Sequence, residues 1–282
     1  MAAQMRLPLV VEPEQLEVHL GDPELLIVDL CDDGVYEQIH LPGAVHLPRG
    51  QLVSGRKPAV GGLPGAGELA QAFSMLGLRP EHHVVAYDDE GGGWASRLLW
   101  TLDVIDHDAF SLLNGGMCSW LVEGHPTSEE PRALLPSRYP VQLGERARAS
   151  LDYVLGRLGQ SDTAIVDARS AAEFTGRDRR AARGGHIPGA VNLDWIAIQD
   201  RARKLRLKPR EVLRAMLEER AVTPDKEVIV YCQTHHRSSL TYIALKVLGY
   251  PDVRAYPGSW AEWGNRADTP IETGPGPDAE SS

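Results

Sequence analysis

Apolar positions fall into two rhythms along this chain. Short runs rich in β-branched residues, such as Leu26-Ile27-Val28, Val84-Val85-Ala86, Ile165-Val166 and Val228-Ile229-Val230, predict buried strands. Between them lie stretches of helical period. Leu151, Val154, Leu155 and Leu158 share one helical face, with Ser150 placed to cap it. Residues 211–219 read as an amphipathic helix, and "SLTYIALKVLG" reads as a long helix after the strand Val228–Tyr231. Strands alternating with helices predict an α/β fold with a mostly parallel sheet.

The pattern occurs twice. Ile27-Val28-Asp29 answers Ile165-Val166-Asp167, and the His-x-Pro-Gly-Ala-Val stretch at His40 answers the one at His186. "HVVAYDDEGGGWASRLLW" from position 83 answers "EVIVYCQTHHRSSLTYIAL" from position 227, and "GGMCSW" answers "GSWAEW". Order and offset are preserved, as duplication of one domain requires. The expected organisation is a first domain over 1–130, a linker over 131–147 marked by Pro131, Pro136 and Pro140, a second domain over 148–270, and a disordered tail over 271–282. Asp29 and Asp167 at strand ends, and His40 and His186 before Pro-Gly turns, are expected to hold loops rather than do chemistry.

Composition narrows the function. A net charge of -10 disfavours a nucleic-acid partner. No apolar run is long enough to span a bilayer, and the N-terminal stretch, broken by Pro8 and Pro13, lacks the pattern of a signal peptide. The three cysteines, Cys31, Cys118 and Cys232, show no zinc-like or disulfide spacing, so a reducing cytoplasm is expected. Cys31 and Cys118 are expected to be buried and inert.

Cys232 differs. It stands at the mouth of a strand, where open α/β sheets bind ligands, and polar residues follow it: Gln233, Thr234, His235, His236, Arg237, Ser238 and Ser239. A loop curled around its first residue and leading into a helix start aims N–H groups inward and forms an anion nest. With Arg237 nearby, such a nest favours a thiolate. His235 and His236 stand either as pocket groups or as exposed loop residues; a Cys/His metal site lacks a partner cluster. At the matching position the first half has Asp88, followed by Asp89 and Glu90, which predicts a silent site. Cysteine-type phosphatases place five residues between Cys and Arg; here four separate Cys232 from Arg237, which favours sulfur transfer over phosphate chemistry.

Taken together, "IVDAR" (165–169), "GHIPGAVN" (185–192), "CQTHHRS" (232–238) and "GSWAEWGNRADTPIE" (258–272) resemble the rhodanese sulfurtransferases, specifically the tandem-domain thiosulfate sulfurtransferases of bacteria, over nearly the whole chain. The resemblance implies two rhodanese-like domains, each a mostly parallel sheet flanked by helices, the first inactive and the second cycling through a persulfide on Cys232. It implies Arg237 as the thiosulfate contact, with Gln233, Thr234, His235, His236 and Ser238 as the substrate-binding loop, and Trp195 as an aromatic near the site. The loop is neither the "C-G-S-G" of mercaptopyruvate-using members nor the "C-R-K-G" of vertebrate thiosulfate enzymes, and Thr175 follows Phe174 where those groups carry an Arg. Arg177, Arg179, Arg180 and Arg183 crowd nearby, and Arg183 is a candidate pocket residue. The expected chemistry is ping-pong transfer from thiosulfate to cyanide or a thiol, by a monomer, with no metal or organic cofactor. The alternatives are a 3-mercaptopyruvate sulfurtransferase and a sulfur carrier or redox partner serving a thiol or protein acceptor.

Overall fold

The computed structural model describes residues 7–132 and 135–274; the stretch from 275 onward, within the tail expected to be disordered, lies outside the described residues. The chain folds as two units. Residues up to 53, 64–144 and 200–207 form the first; 54–63, 145–199 and 208 onward form the second. Two short segments therefore fold with the opposite sequence half, which no periodic pattern predicts. No helix among the described residues is long and apolar enough to cross a membrane.

In the first unit, five parallel strands run in the order Val10–Val11, Phe110–Leu113, His83–Tyr87, Leu25–Asp29, Val45–His46. In the second, four parallel strands run in the order Val253–Ala255, Glu227–Tyr231, Thr163–Asp167, Val191–Asn192, and a parallel bridge from Arg148 to Ala255 stands where the first unit has its edge strand. The central strands are buried along their whole length, which is why they read as continuous apolar runs rather than as alternation. Helix Leu151–Arg157 begins at Ser150, whose side chain accepts from the Tyr153 N–H, and Val154 packs into the core with Ile165, Ile229, Phe174 and Trp260. Helix Arg210–Glu218 buries Leu213 and Leu217 on one face.

The same register places a tyrosine opposite an aspartate in each unit: Tyr87 faces Asp29, and Tyr231 faces Asp167. The tyrosine hydroxyls accept the N–H of Leu41 and of Ile187, both at 3.1 Å, and so tie the His-x-Pro-Gly-Ala-Val turn to the strand that carries the loop. The histidines of that motif hold loops, as expected. His186 Nδ1 donates to the Phe174 carbonyl at 2.8 Å and its ring stacks on Phe174 at 3.6 Å. His40 contacts the carbonyls of Tyr36 and Glu130.

The repeat also matches in backbone strain. Gly116 has φ +53°, and a Cβ there would lie 2.3 Å from the Asp88 carbonyl oxygen, so a glycine is required. Its counterpart is Ser259, with φ +52° and no exposed surface. Two hydrogen bonds hold the serine in this costly left-handed conformation: its Oγ accepts the Cys232 N–H at 3.3 Å and donates to the Tyr256 carbonyl at 2.9 Å. Ser259→Ala keeps the strain and loses both bonds, at an expected cost of about 1–3 kcal/mol. Ser259→Gly loses the same bonds but relieves about 1 kcal/mol of strain, so it should be the more stable variant. Urea unfolding midpoints in the order wild type, Gly, Ala are expected; an Ala variant as stable as the Gly variant would contradict this account.

Candidate active site

Strand Glu227–Tyr231 ends directly at Cys232, and the chain turns through 233–236 into helix Arg237–Leu248. The turn closes because His235 adopts φ +54°, a left-handed conformation that histidine tolerates better than most side chains. The helix Ser259–Trp263 pins the start of the loop: the Trp260 and Ala261 N–H groups donate to the carbonyls of Cys232 and Gln233, both at 2.9 Å. Over Thr234 lies Gly61, from the short segment that folds with this unit; a Cβ there would sit 2.2 Å from the Thr234 carbonyl oxygen.

Cys232 is fully buried. Burial by itself would push its thiol up. The Arg237 charge, the Ser238 hydroxyl and N–H, and the Thr234 N–H outweigh that cost, and the net direction is down. The expected nest is therefore present, and the cysteine is buried among donors rather than among apolar atoms. The other two cysteines differ from it and from each other. Cys31 lies in the apolar core, its thiol pushed far up by burial and by Asp29. Cys118, expected to be buried, is half-exposed on a helix of the first unit.

Arg237 is not a free cation waiting for an anion. Its two terminal nitrogens grip Glu173 side by side, at 2.6 and 2.8 Å. Glu173 is buried and also closes a capping box with Ser170 at the start of helix Ala171–Phe174. Burial would raise its carboxyl, but the Arg237 hydrogen bonds and charge and the Ser170 contacts bring it down to about 2. Glu173 was missed by the sequence reading, because residues 173 and 237 meet only in the fold.

The remaining expected residues divide. Trp195 comes to the site: its ring lies 5.7 Å from that of His236. His235 is fully buried and bonds Ser238, whereas His236 lies beside Trp195. The Gln233 amide donates to the Arg180 carbonyl at 3.1 Å, and Arg180 Nε lies 3.8 Å from Glu173, so Arg180 is the arginine of that cluster that joins the loop's network. Arg183, a candidate pocket residue in the sequence, is given other work. Its guanidinium donates to the carbonyls of Trp263 and Thr269 and to the Thr269 hydroxyl, holding the turn after the helix Ser259–Trp263.

In the first unit the same cradle is filled from within. Asp88 stands in the place of Cys232, and its carboxylate accepts the N–H groups of Glu90 at 3.1 Å, Gly92 at 2.7 Å and Ala95 at 2.9 Å. Burial and the nearby Glu90 raise this carboxyl despite those bonds. The side chain occupies the anion position itself, which is a stronger block than the charge repulsion read from the sequence.

Residues 12–123 and 150–266 both match the model of the rhodanese-like domain. The chain belongs to the rhodanese family. It is 49% identical to the thiosulfate sulfurtransferase of Azotobacter vinelandii over 266 residues, covering 94% of this chain and 97% of that protein. It is 46% identical to the thiosulfate sulfurtransferase of Pseudomonas aeruginosa, with the same coverage. Among solved structures, that of SseA from Escherichia coli, reported for the rhodanese fold and mechanism of 3-mercaptopyruvate sulfotransferases, superposes with a TM-score of 0.80 at 29% identity, over 91% of this chain and all of the other.

The Arg237–Glu173 pair makes a pH prediction for this rhodanese. The folded-state carboxyl titrates at about 2, against an ordinary value of 4.5. A depressed carboxyl contributes stability that is complete above its unfolded value and is lost as pH falls toward the folded one. The contribution is about 3 kcal/mol, lost between pH 4.5 and 2. Glu173→Gln should be less stable near neutral pH and should lose less on acidification. Urea unfolding at several pH values checks this; parallel stability curves for the two proteins would remove the pair from that role.

Proposed function

We propose that this protein is a sulfurtransferase that moves the outer sulfur of thiosulfate to a thiophilic acceptor through a persulfide on Cys232. The observation that carries the reading is the buried Cys232 sulfur facing the N–H groups of Thr234 and Ser238, the Ser238 hydroxyl and the charge of Arg237. These donors favour a thiolate, which is the nucleophile. The thiolate attacks the outer sulfur of thiosulfate; the S–S bond of the donor breaks, and sulfite leaves with the electron pair. The charge now resides on the outer sulfur of Cys232–S–S⁻, held by donors already in place, a term often worth several kcal/mol in such sites. Cyanide or a thiolate then attacks that sulfur and the Cys232 thiolate is restored. Asp88 fills the corresponding position in the first unit, and the reading gives that unit no part in the chemistry.

The Arg237 pairing bears on the choice of substrate. Glu173 takes one hydrogen from each terminal nitrogen of Arg237 and so fixes the guanidinium beside the loop. Held there, Arg237 sets a positive charge near the Cys232 sulfur, and the four-residue spacing between Cys232 and Arg237 suits a persulfide better than a phosphate ester. A 3-mercaptopyruvate donor would ask for a cation to meet its carboxylate, and Arg183 already bonds Trp263 and Thr269. This favours thiosulfate. The relatives named as thiosulfate sulfurtransferases support the same choice. Three free cysteines are in keeping with a reducing, cytoplasmic setting.

Two expected outcomes follow from this reading. Intact-mass analysis after incubation with thiosulfate should show a gain of one sulfur atom, removable by cyanide and absent from Cys232→Ser. A sulfur retained by that variant, on Cys31 or Cys118, would end the assignment. Asp88→Ala should leave turnover within about a factor of two, since no transition-state contact is lost. It should nevertheless lower stability by about 1–3 kcal/mol, because three N–H groups lose their acceptor. A tenfold fall in turnover with the fold intact would bring the first unit into the reaction.

A further inference from the structure

His235 is an unusual residue to find under a nucleophile. It has no exposed surface, it holds a left-handed backbone, and it lies within the loop itself. Its Nδ1 is 2.8 Å from Ser238 Oγ, and its Nε2 is 3.3 Å from Ser239 Oγ, which lies 2.7 Å from the His235 carbonyl, so the one Ser239 proton can turn to either of these two acceptors. Ser238 and Ser239 are fully buried too. The Ser238 oxygen thus stands between two neighbours, the imidazole and the Cys232 sulfur.

A serine hydroxyl has one proton to donate. A thiolate can only accept. The proton therefore reaches the sulfur only if the imidazole nitrogen facing Ser238 is itself a donor. With hydrogen on Nδ1, the ring donates to Ser238 Oγ, the Ser238 proton turns to the sulfur, and the bare Nε2 takes the Ser239 proton. With a lone pair on Nδ1, the ring draws that proton to itself and leaves an oxygen lone pair facing the thiolate. In a fully buried cluster a misplaced lone pair is costly, so the two choices differ strongly in how well the sulfur anion is held.

We propose that His235 is a positioning residue of the sulfur-transfer centre, whose Nδ1–H donates to Ser238 Oγ and so directs the Ser238 hydroxyl onto the Cys232 sulfur. The proposal rests on Cys232 being the nucleophile. The charged groups around the cluster, Arg237, Glu173, Asp167 and Asp194, are the same in every variant below, so differences among them report the hydroxyl relay.

The test is the pH titration of the ultraviolet thiolate absorbance in a Cys118→Ser background. Cys31, with its thiol pushed far up, stays silent there. Ser238→Ala should raise the Cys232 midpoint by about one to two pH units, the worth of one hydrogen bond to a charged group. His235→Gly, which fits the left-handed backbone and removes the imidazole, should raise it by a similar amount. The double variant should rise no further than Ser238→Ala alone. His235→Asn places an amide N–H near the Nδ1 position, tolerates the same backbone, and should restore much of the wild-type midpoint. Additive shifts in the double variant, or an unchanged midpoint in His235→Gly, would overturn the relay. If the glycine variant fails to fold, an Asn midpoint as high as that of Ser238→Ala would overturn it equally. Sulfur uptake by intact mass is read in parallel. A wild type that never gains sulfur, alongside a non-additive cycle, would reject the sulfur-transfer reading and leave the relay standing.

Discussion

A buried acidic side chain at the end of the central strand, ringed by N–H groups of its own loop, is the constraint around which each unit is built. Taking a charge out of water is expensive unless donors replace the water, and here the loop's own N–H groups do so. In the second unit they converge on Cys232, with the Ser238 hydroxyl and the Arg237 charge added. In the first they converge on Asp88. One backbone device therefore surrounds either a cysteine sulfur or a carboxylate that satisfies the loop's own N–H groups, and the difference is the side chain at a single position.

Much of the surrounding structure fixes that loop in place. Tyr231 anchors the His-x-Pro-Gly-Ala-Val turn to the strand that leads into Cys232, and the helix starting at Ser259 holds the loop's first two carbonyls. Beneath it, the Arg169 guanidinium bonds Asp167 and lies over the rings of Tyr231 and Trp260. The first unit has Cys31 at the position of Arg169, buried in the apolar core. The first unit thus dispenses with a buried cation at this position, where the unit carrying Cys232 keeps one.

Strain gathers at the same place. His235 and Ser259 both hold left-handed conformations that few side chains accept, and each touches the loop of Cys232. Costs of this kind persist when the surrounding contacts over-determine the conformation, and they tend to mark sites where geometry matters more than stability. In the first unit the position of Ser259 is a glycine, which carries no such penalty.

The amino-acid sequence by itself determined the duplication, the parallel α/β plan, the position of Cys232 at a strand end and the replacement of that cysteine by Asp88. These follow from local pattern: β-branched runs, a helical period, and turn residues repeated at a fixed offset. What the sequence did not show is that Arg237 pairs with Glu173, or that Arg183 bonds Trp263 and Thr269. Likewise, nothing in the sequence shows that Gly61 lies on Thr234, or that 54–63 and 200–207 fold with the opposite halves. Such partners are remote in sequence, and a guanidinium's choice of carboxylate or carbonyl depends on distances that only packing sets. Local pattern placed Cys232 at the strand end; tertiary contact decided which charged groups surround it.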